Sequence, residues 1–169
     1  IKITFLGAGS SVFVRNVLGD CIIHPELEDL TFALYDIDAQ RLEDSYLMLH
    51  AICAHYGKSV KMEKYVGVEE LPQALTGANF LICAIQVGGY DPCTISDFEI
   101  PKKYGLRQTI ADTLGVGGVF RALRTIPVME MFGQMAEKYC PNAVFINYSN
   151  PMAMLSGYME RYCNIQFVG

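Results

Sequence analysis

The chain has 169 residues, 51% of them hydrophobic, with 13 Lys and Arg against 18 Asp and Glu, a net charge of −5 and a pI near 5.1. That length suits one domain by the usual prior of roughly 100–200 residues, and the apolar share is enough for a sizeable core. No Lys/Arg run gives the electrostatic footprint of a nucleic-acid binder, and no apolar run approaches the ~18 residues of a membrane span.

Residues 2–6, KITFL, read as a buried strand, and GAGSSV turns the chain into a mostly apolar helix over 11–23 that ends near His24-Pro25. A second apolar strand, 30–35, runs into Asp36-Ile37-Asp38. Asp38 is a natural N-cap for a helix carrying Leu42, Tyr46, Leu49 and Ile52 and closing near Gly57. VKMEKYV (60–66) reads as a third strand and VEELPQALTG as a short helix. NFLICAIQV (79–87) reads as a strongly apolar strand ending at Gly88-Gly89.

The pattern then breaks over residues 88–118, with only a short helical piece around FEIPKKYG. A segment that long between core elements is usually functional. A helix returns over 118–139, where Pro127 either kinks it or marks its first turn. AVFINY (143–148) is a strand, followed by Ser149-Asn150-Pro151, a Met- and Leu-bearing helix and a terminal strand, IQFV. Near-continuous apolar strands alternating with helices predict an α/β fold, a Rossmann-type doubly wound, mostly parallel sheet.

The glycines of GAGSSV carry the first functional signal. Gly7 and Gly9 supply the first two glycines of G-x-G-x-x-G, and Val12 stands where the third belongs. Gly7 permits the tight turn and Gly9 lets backbone amides approach a pyrophosphate at a helix N-terminus. The third glycine serves helix–strand packing, so Val12 asks only for slightly wider spacing. Asp36, at the end of the second strand, suits the adenosine ribose hydroxyls and repels a 2′-phosphate, so NAD is expected over NADP.

Other residues are weighed against plainer roles. His50 and His55, five apart on one helix, do not share a face and make a poor metal pair; His24 reads as a loop residue. Met129, Met131 and Met135 read as core filler, and Tyr139, Tyr158 and Tyr162 as packing residues. Cys93 of GGYDPC reads as an ordinary loop thiol, since nothing nearby in sequence lowers its pKa. The six cysteines include no C-x-x-C and mostly sit in apolar stretches, which points to buried thiols in a reducing compartment, with the cytoplasm expected. Asp112 closes the irregular segment. Asn150 follows a strand's carboxyl end, where open parallel sheets bind ligands, and is either a hydrogen-bonding site residue or a turn residue before Pro151. The first residues show no signal-peptide pattern, while the Ile start and the NIQFVG ending lead us to expect part of a longer protein.

The stretches ITFLGAGS, ALYDID, AIQVGGYDPCTISDFEIPKKYGLRQTIADTLGVGGVFRALRTIP and NYSNPMAM together resemble the NAD- and manganese-dependent glycosidases of glycoside hydrolase family four. The resemblance covers essentially the whole chain as that family's N-terminal domain. It looks most like the α-galactosidase (melibiase) branch, with α-galacturonidases and α-glucosidases close by. It implies a lactate/malate dehydrogenase-like N-terminal domain over residues 1–169, with a substrate and metal domain to follow. It also implies chemistry unlike the two-carboxylate scheme of most glycosidases. In that family NAD oxidises the sugar's 3-hydroxyl, a divalent metal polarises the neighbouring oxygens, and a base removes the acidified proton. The glycosidic oxygen is then eliminated, water adds, and the hydride returns, so the net reaction is hydrolysis.

By that similarity Gly7, Gly9, Ser10 and Asp36 hold the cofactor, with Gln86 and Gly88 running beside it. Asn150 contacts the sugar near the metal, and Asp112 lies near the sugar hydroxyls. Arg124 either supports that site or pairs with a carboxylate. The metal ligands, a Cys and a His, and the elimination base are expected beyond Gly169, and Cys163 does not stand in for them. The resemblance also implies an α-galactoside or related sugar as substrate, a homo-oligomer, and a 169-residue chain inactive by itself. A lactate/malate-type hydroxy-acid dehydrogenase is the alternative enzyme, but GGYDPCTISDFE is acidic and Arg107 is the first arginine after it, which disfavours a small anionic substrate. A non-catalytic binding module is the third reading.

Overall fold

The computed structural model describes residues 1–109 and 113–169. The expected alternation is present. β1 (Lys2–Leu6) leads to α1 (Ser11–Ile23), β2 (Thr31–Asp36) to α2 (Ala39–Tyr56), and β3 (Lys61–Val66) to a 3₁₀ turn and the short α3 (Leu71–Leu75). β4 (Phe80–Cys83) is followed by wide helical turns over Gly89–Thr94, α4 (Ile95–Lys103) and α5 (Gly115–Tyr139). β5 (Val144–Asn147), α6 (Met152–Tyr162) and β6 (Gln166–Val168) complete the order. The six strands form one sheet in the order β3-β2-β1-β4-β5-β6, and every pairing is parallel, where the sequence pattern promised a mostly parallel sheet.

The β1–β4 neighbourhood is where the connection reverses direction, because β1 leads outward to β2 and β3 on one side while β4 leads to β5 and β6 on the other. Parallel sheets bind ligands at that point, outside the strands' carboxyl ends. Two apolar clusters cover the sheet. One gathers Phe5, Val14, Leu18, Phe32, Leu34 and Leu49 beneath α1 and α2. The other gathers Leu6, Leu71, Leu81, Met129, Phe132 and Phe145 beneath α3, α5 and α6.

Local chemistry explains the helix ends. Asp38 Oδ1 accepts from the amides of Gln40 and Arg41 at 3.0 and 3.1 Å, as the N-cap reading expects. Gly57 closes α2 in the left-handed region at φ 62°.

Two boundaries and the place of one proline differ from the sequence reading. β4 stops at Cys83 rather than running to Val87, because the next residues turn from the sheet: the Ala84 amide still donates to Leu6 O, but the Ile85 amide donates to the Ser149 hydroxyl instead of a strand. The irregular segment holds the turns over Gly89–Thr94, α4 and the first turn of α5. Pro127 lies inside α5, well past its first turn, on an exposed position.

Candidate dinucleotide cleft

The loop after β1 is drawn tight by its own backbone. The amides of Gly7 and Ala8 both donate to Tyr35 O at 2.9 Å, tying the loop to β2. Gly7 sits at φ 89°, where a Cβ would also meet Ala84 O at 2.6 Å, so glycine is required twice over. A Cβ on Gly9 would lie 2.8 Å from Asp36 Oδ2 and 3.0 Å from Arg41 Cβ, so this backbone is pressed against the end of β2 and the start of α2. Val12 is 62% exposed and packs under nothing. The close helix–sheet contact falls to Ala8 and Val14, both fully buried, so the missing third glycine is not needed here and no wider spacing has to be invoked.

α1 begins without a protein anion. Ser10 makes no side-chain cap hydrogen bond and the first turn holds no acidic residue. The first amides of a helix lack intrahelical partners and carry partial positive charge, so this end suits an anion. Asp36 stands beside it, with Oδ2 accepting from the Gly9 amide at 2.6 Å and Oδ1 from the Asp38 amide at 3.0 Å. These bonds leave lone pairs free on both oxygens.

These residues open onto a cleft of about 530 Å³ at the carboxyl edge of β1, β2 and β4, a volume in the usual range for small-molecule sites. Gly7, Ser10, Asp36, Gln86 and Gly88 all line it, while Gly9 does not, its amide turned to Asp36 Oδ2. Residues not singled out as site residues join them, among them Tyr35, Ile37, Arg41, Val68 and Phe132. Ile37 and Val68 are exposed apolar side chains at 78% and 49%, and Phe132 meets the buried Tyr35 ring edge-on at 6.0 Å. Met131, read as core filler, also forms cleft wall, while Met129 is fully buried. An isolated apolar residue beside Asp36, such as Ile37, was the available hint.

The opposite wall is the turn from Gln86 to Gly89, braced from behind. Arg124 Nη1 and Nη2 donate to the two oxygens of Asp97 at 3.2 and 2.5 Å, and its Nε donates to Val87 O at 3.3 Å. Asp97 is 3% exposed. The hydrogen bonds to Asp97 hold the Arg124 pKa above its ordinary value. Of the two roles open for Arg124, the structure shows the carboxylate pair, and that pair grips the cleft wall. Gln86 Nε2 donates to Thr94 Oγ1 at 2.9 Å, and Gln108 Nε2 donates to Asp97 O at 3.1 Å. Gly88, at φ 82°, leaves room for the Cys93 thiol and for Arg124 Nε, which a Cβ would approach to 3.2 Å.

Asn150 does not line the cleft. Its Oδ1 accepts from the Met152 amide at 3.4 Å at the start of α6, and its amide nitrogen has no partner among the described residues. Asp112 lies outside the described residues. Sequence reasoning missed Asn147 and Ser149, which fix this corner. Their side-chain and backbone groups bond reciprocally at 3.0 and 2.9 Å, and Ser149 Oγ accepts from the Ile85 amide. Cys83 packs against that hydroxyl, and burial pushes its thiol up to about 12, so it is unreactive at neutral pH. Among the described residues no three His, Cys, Asp or Glu side chains converge to hold a metal ion. His50 instead meets the Tyr46 ring edge-on at 4.4 Å.

Known proteins share this architecture. The family model described as family 4 glycosyl hydrolase matches residues 2–169. An α-galactosidase of Bacillus subtilis (strain 168) is 55% identical over 99% of this chain, and an α-galacturonidase of Thermoanaerobacter italicus is 37% identical over 91% of it. The chain spans only 38% and 32% of those two relatives' lengths. A solved 6-phospho-β-glucosidase of Thermotoga maritima, in a form with manganese, NAD⁺ and glucose-6-phosphate, superposes with a TM-score of 0.86 at 26% identity, over all of this chain and 39% of that one. Lactate dehydrogenase of Eimeria maxima, at 17% identity and a TM-score of 0.64 over 99% of this chain and 43% of its own, shares the fold alone. A match over nearly every residue, on a cleft built from the very loops that carry the motif, places the chain in family 4 of the glycosyl hydrolases.

Proposed function

We propose that the chain is the NAD-binding domain, residues 1–169, of an enzyme that hydrolyses α-galactosides by transient oxidation and elimination. A substrate and metal domain beyond Gly169 would complete it, and the whole would assemble as a homo-oligomer in the cytoplasm. The observation that carries this reading is the cleft at the β1–β4 switch point, where an uncapped helix N-terminus, a two-glycine loop and Asp36 converge. The relatives' names support the glycone. Six free cysteines, four of them buried, support a reducing compartment.

The residues present fit a dinucleotide. The start of α1, where the Val12 and Phe13 amides have no hydrogen-bond partner among the described residues, suits a pyrophosphate, Asp36 offers acceptor oxygens to ribose hydroxyls, and Ile37 and Val68 offer apolar surface to a base. Gln86 and Gly88 form the wall along the other half, held by Thr94, Arg124 and Asp97. Bound there, NAD would supply a reversible hydride acceptor. The chain's own part is to hold it, keep water off its apolar side with Tyr35 and Phe132, and leave the mouth open to a sugar. The donor set for manganese is not among the described residues, so no metal chemistry is assigned to this chain. Asn150, whose amide nitrogen has no partner among the described residues, and Asp112 remain the proposed sugar contacts. Arg124, which reaches the wall at Val87, is committed to Asp97, which removes it as a grip for a hydroxy-acid carboxylate.

The test is cleavage of p-nitrophenyl α-galactoside by this chain joined to the C-terminal remainder of its protein, with NAD and Mn²⁺ withheld in turn. Cleavage that needs both is the expected result. Full activity without NAD, or NADH accumulating on a hydroxy acid with no glycoside cleavage, would overturn the reading.

A further inference from the structure

Arg41 is placed against its local electrostatics. It occupies the first turn of α2, at the helix's positive end, where a cation is disfavoured. Its backbone amide is capped by Asp38 Oδ1, yet among the described residues its guanidinium makes no ion pair and no side-chain hydrogen bond. Asp36, the carboxylate that lines the cleft, accepts from the amides of Gly9 and Asp38 and makes no ion pair with it. Arg41 is exposed, lines the cleft, and has its Cβ 3.0 Å from where a Cβ of Gly9 would stand. Its base therefore stands against the backbone of the loop that leads into the uncapped start of α1. An unpaired arginine at the wrong end of one helix, leaning toward the right end of another for an anion, lacks only the anion.

We propose that Arg41 is a cationic ligand for the pyrophosphate of the bound dinucleotide, gripping the phosphate on its adenosine side. The inference rests on the cleft being a dinucleotide site. Arg41 then has a charge-assisted partner, its guanidinium adding to the uncapped first amides of α1. A bidentate guanidinium would also fix the phosphate's orientation, which backbone amides alone leave looser.

The experiment compares the chain with Arg41→Ala and Arg41→Lys, titrating NADH, NADPH, 5′-AMP and adenosine, with melting temperature as the folding control. Arg41→Ala is expected to weaken NADH and 5′-AMP by about tenfold, leave adenosine and the melting temperature unchanged, and be partly rescued by Arg41→Lys. A loss confined to NADPH would place Arg41 at the 2′ position and overturn the proposal. So would equal losses for adenosine and 5′-AMP, which would mean packing on the base, or no loss at all. If the unaltered chain binds neither NADH nor 5′-AMP, the dinucleotide reading itself falls, an outcome distinct from the failure of Arg41 alone.

Discussion

The residues that shape this cleft divide into those that face it and those that hold them. Gly7, Gly9 and Asp36 announce themselves because a tight turn, a close backbone approach and a strand-end carboxylate each demand one residue type. Asp97, Asn147 and Ser149 do not, because their value depends on partners brought from 27, 2 and 64 positions away. Asp97 is the one most exposed to test. It is a nearly buried carboxylate, and Arg124 is its partner on the far side of the Gln86–Gly89 wall. Asp97→Ala would leave a guanidinium short of its partner under the wall, a loss of about 3 kcal/mol by analogy with broken buried pairs. Dinucleotide affinity should fall with it, since Val87 loses its brace. Urea denaturation alongside NADH titration checks both. Unchanged stability would show that the pair is ornamental. An Asp97→Glu variant that restores stability but not affinity would show that the wall's position, and not its mere presence, matters.

At the scale of elements, periodicity located all six strands and missed where two elements begin or end. β4 was read four residues too long at its end because Ala84, Ile85 and Val87 continue the apolar run, yet they leave the sheet to form the cleft wall. Hydrophobicity records burial, and both a strand and a ligand wall are buried or half-buried. α5 was read as starting at 118 because Gly115, Gly117 and Gly118 look like loop; in the helix, Gly118 is small so that α5 can pass Thr113, whose carbonyl oxygen a Cβ would meet at 2.9 Å. Pro127 makes a cleaner case. It lies inside α5 on an exposed position and cannot donate to the carbonyl of Leu123, itself 64% exposed. An interior proline costs a helix about 3 kcal/mol, and the stiffer unfolded chain returns up to about 1. Pro127→Ala should therefore stabilise the chain by about 2 kcal/mol, read as a higher denaturation midpoint with an unchanged slope. Destabilisation would mean that the ring packs against something the helix needs.

For the whole molecule, the sheet's two faces are separate apolar clusters, and the cleft is where material from both sides of the switch point meets. Asp36, Ile37 and Arg41 come from the β2 side, Gln86 and Gly88 from the β4 side, and the loop after β1 lies between them. A ligand spanning that line touches segments that no strand pairing joins directly. It also binds only the folded chain, since the unfolded one has no cleft. Linkage then requires stabilisation: ligand at a hundred times its dissociation constant adds about 2.7 kcal/mol. For a domain of this size that is a rise of roughly 5–10 °C in melting temperature. The first half of α5 works against the measurement, because Val116, Val119, Phe120 and Leu123 are all at least 39% exposed and form an apolar helix face that invites association. Melting should accordingly be followed at several chain concentrations, with the shift taken at the lowest. NADH should raise the midpoint and Gly7→Ala should abolish the rise, because its Cβ meets Ala84 O at 2.6 Å and closes the loop's turn. A rise that survives Gly7→Ala would mean that the ligand binds somewhere other than the cleft, and the site would have to be sought away from the switch point.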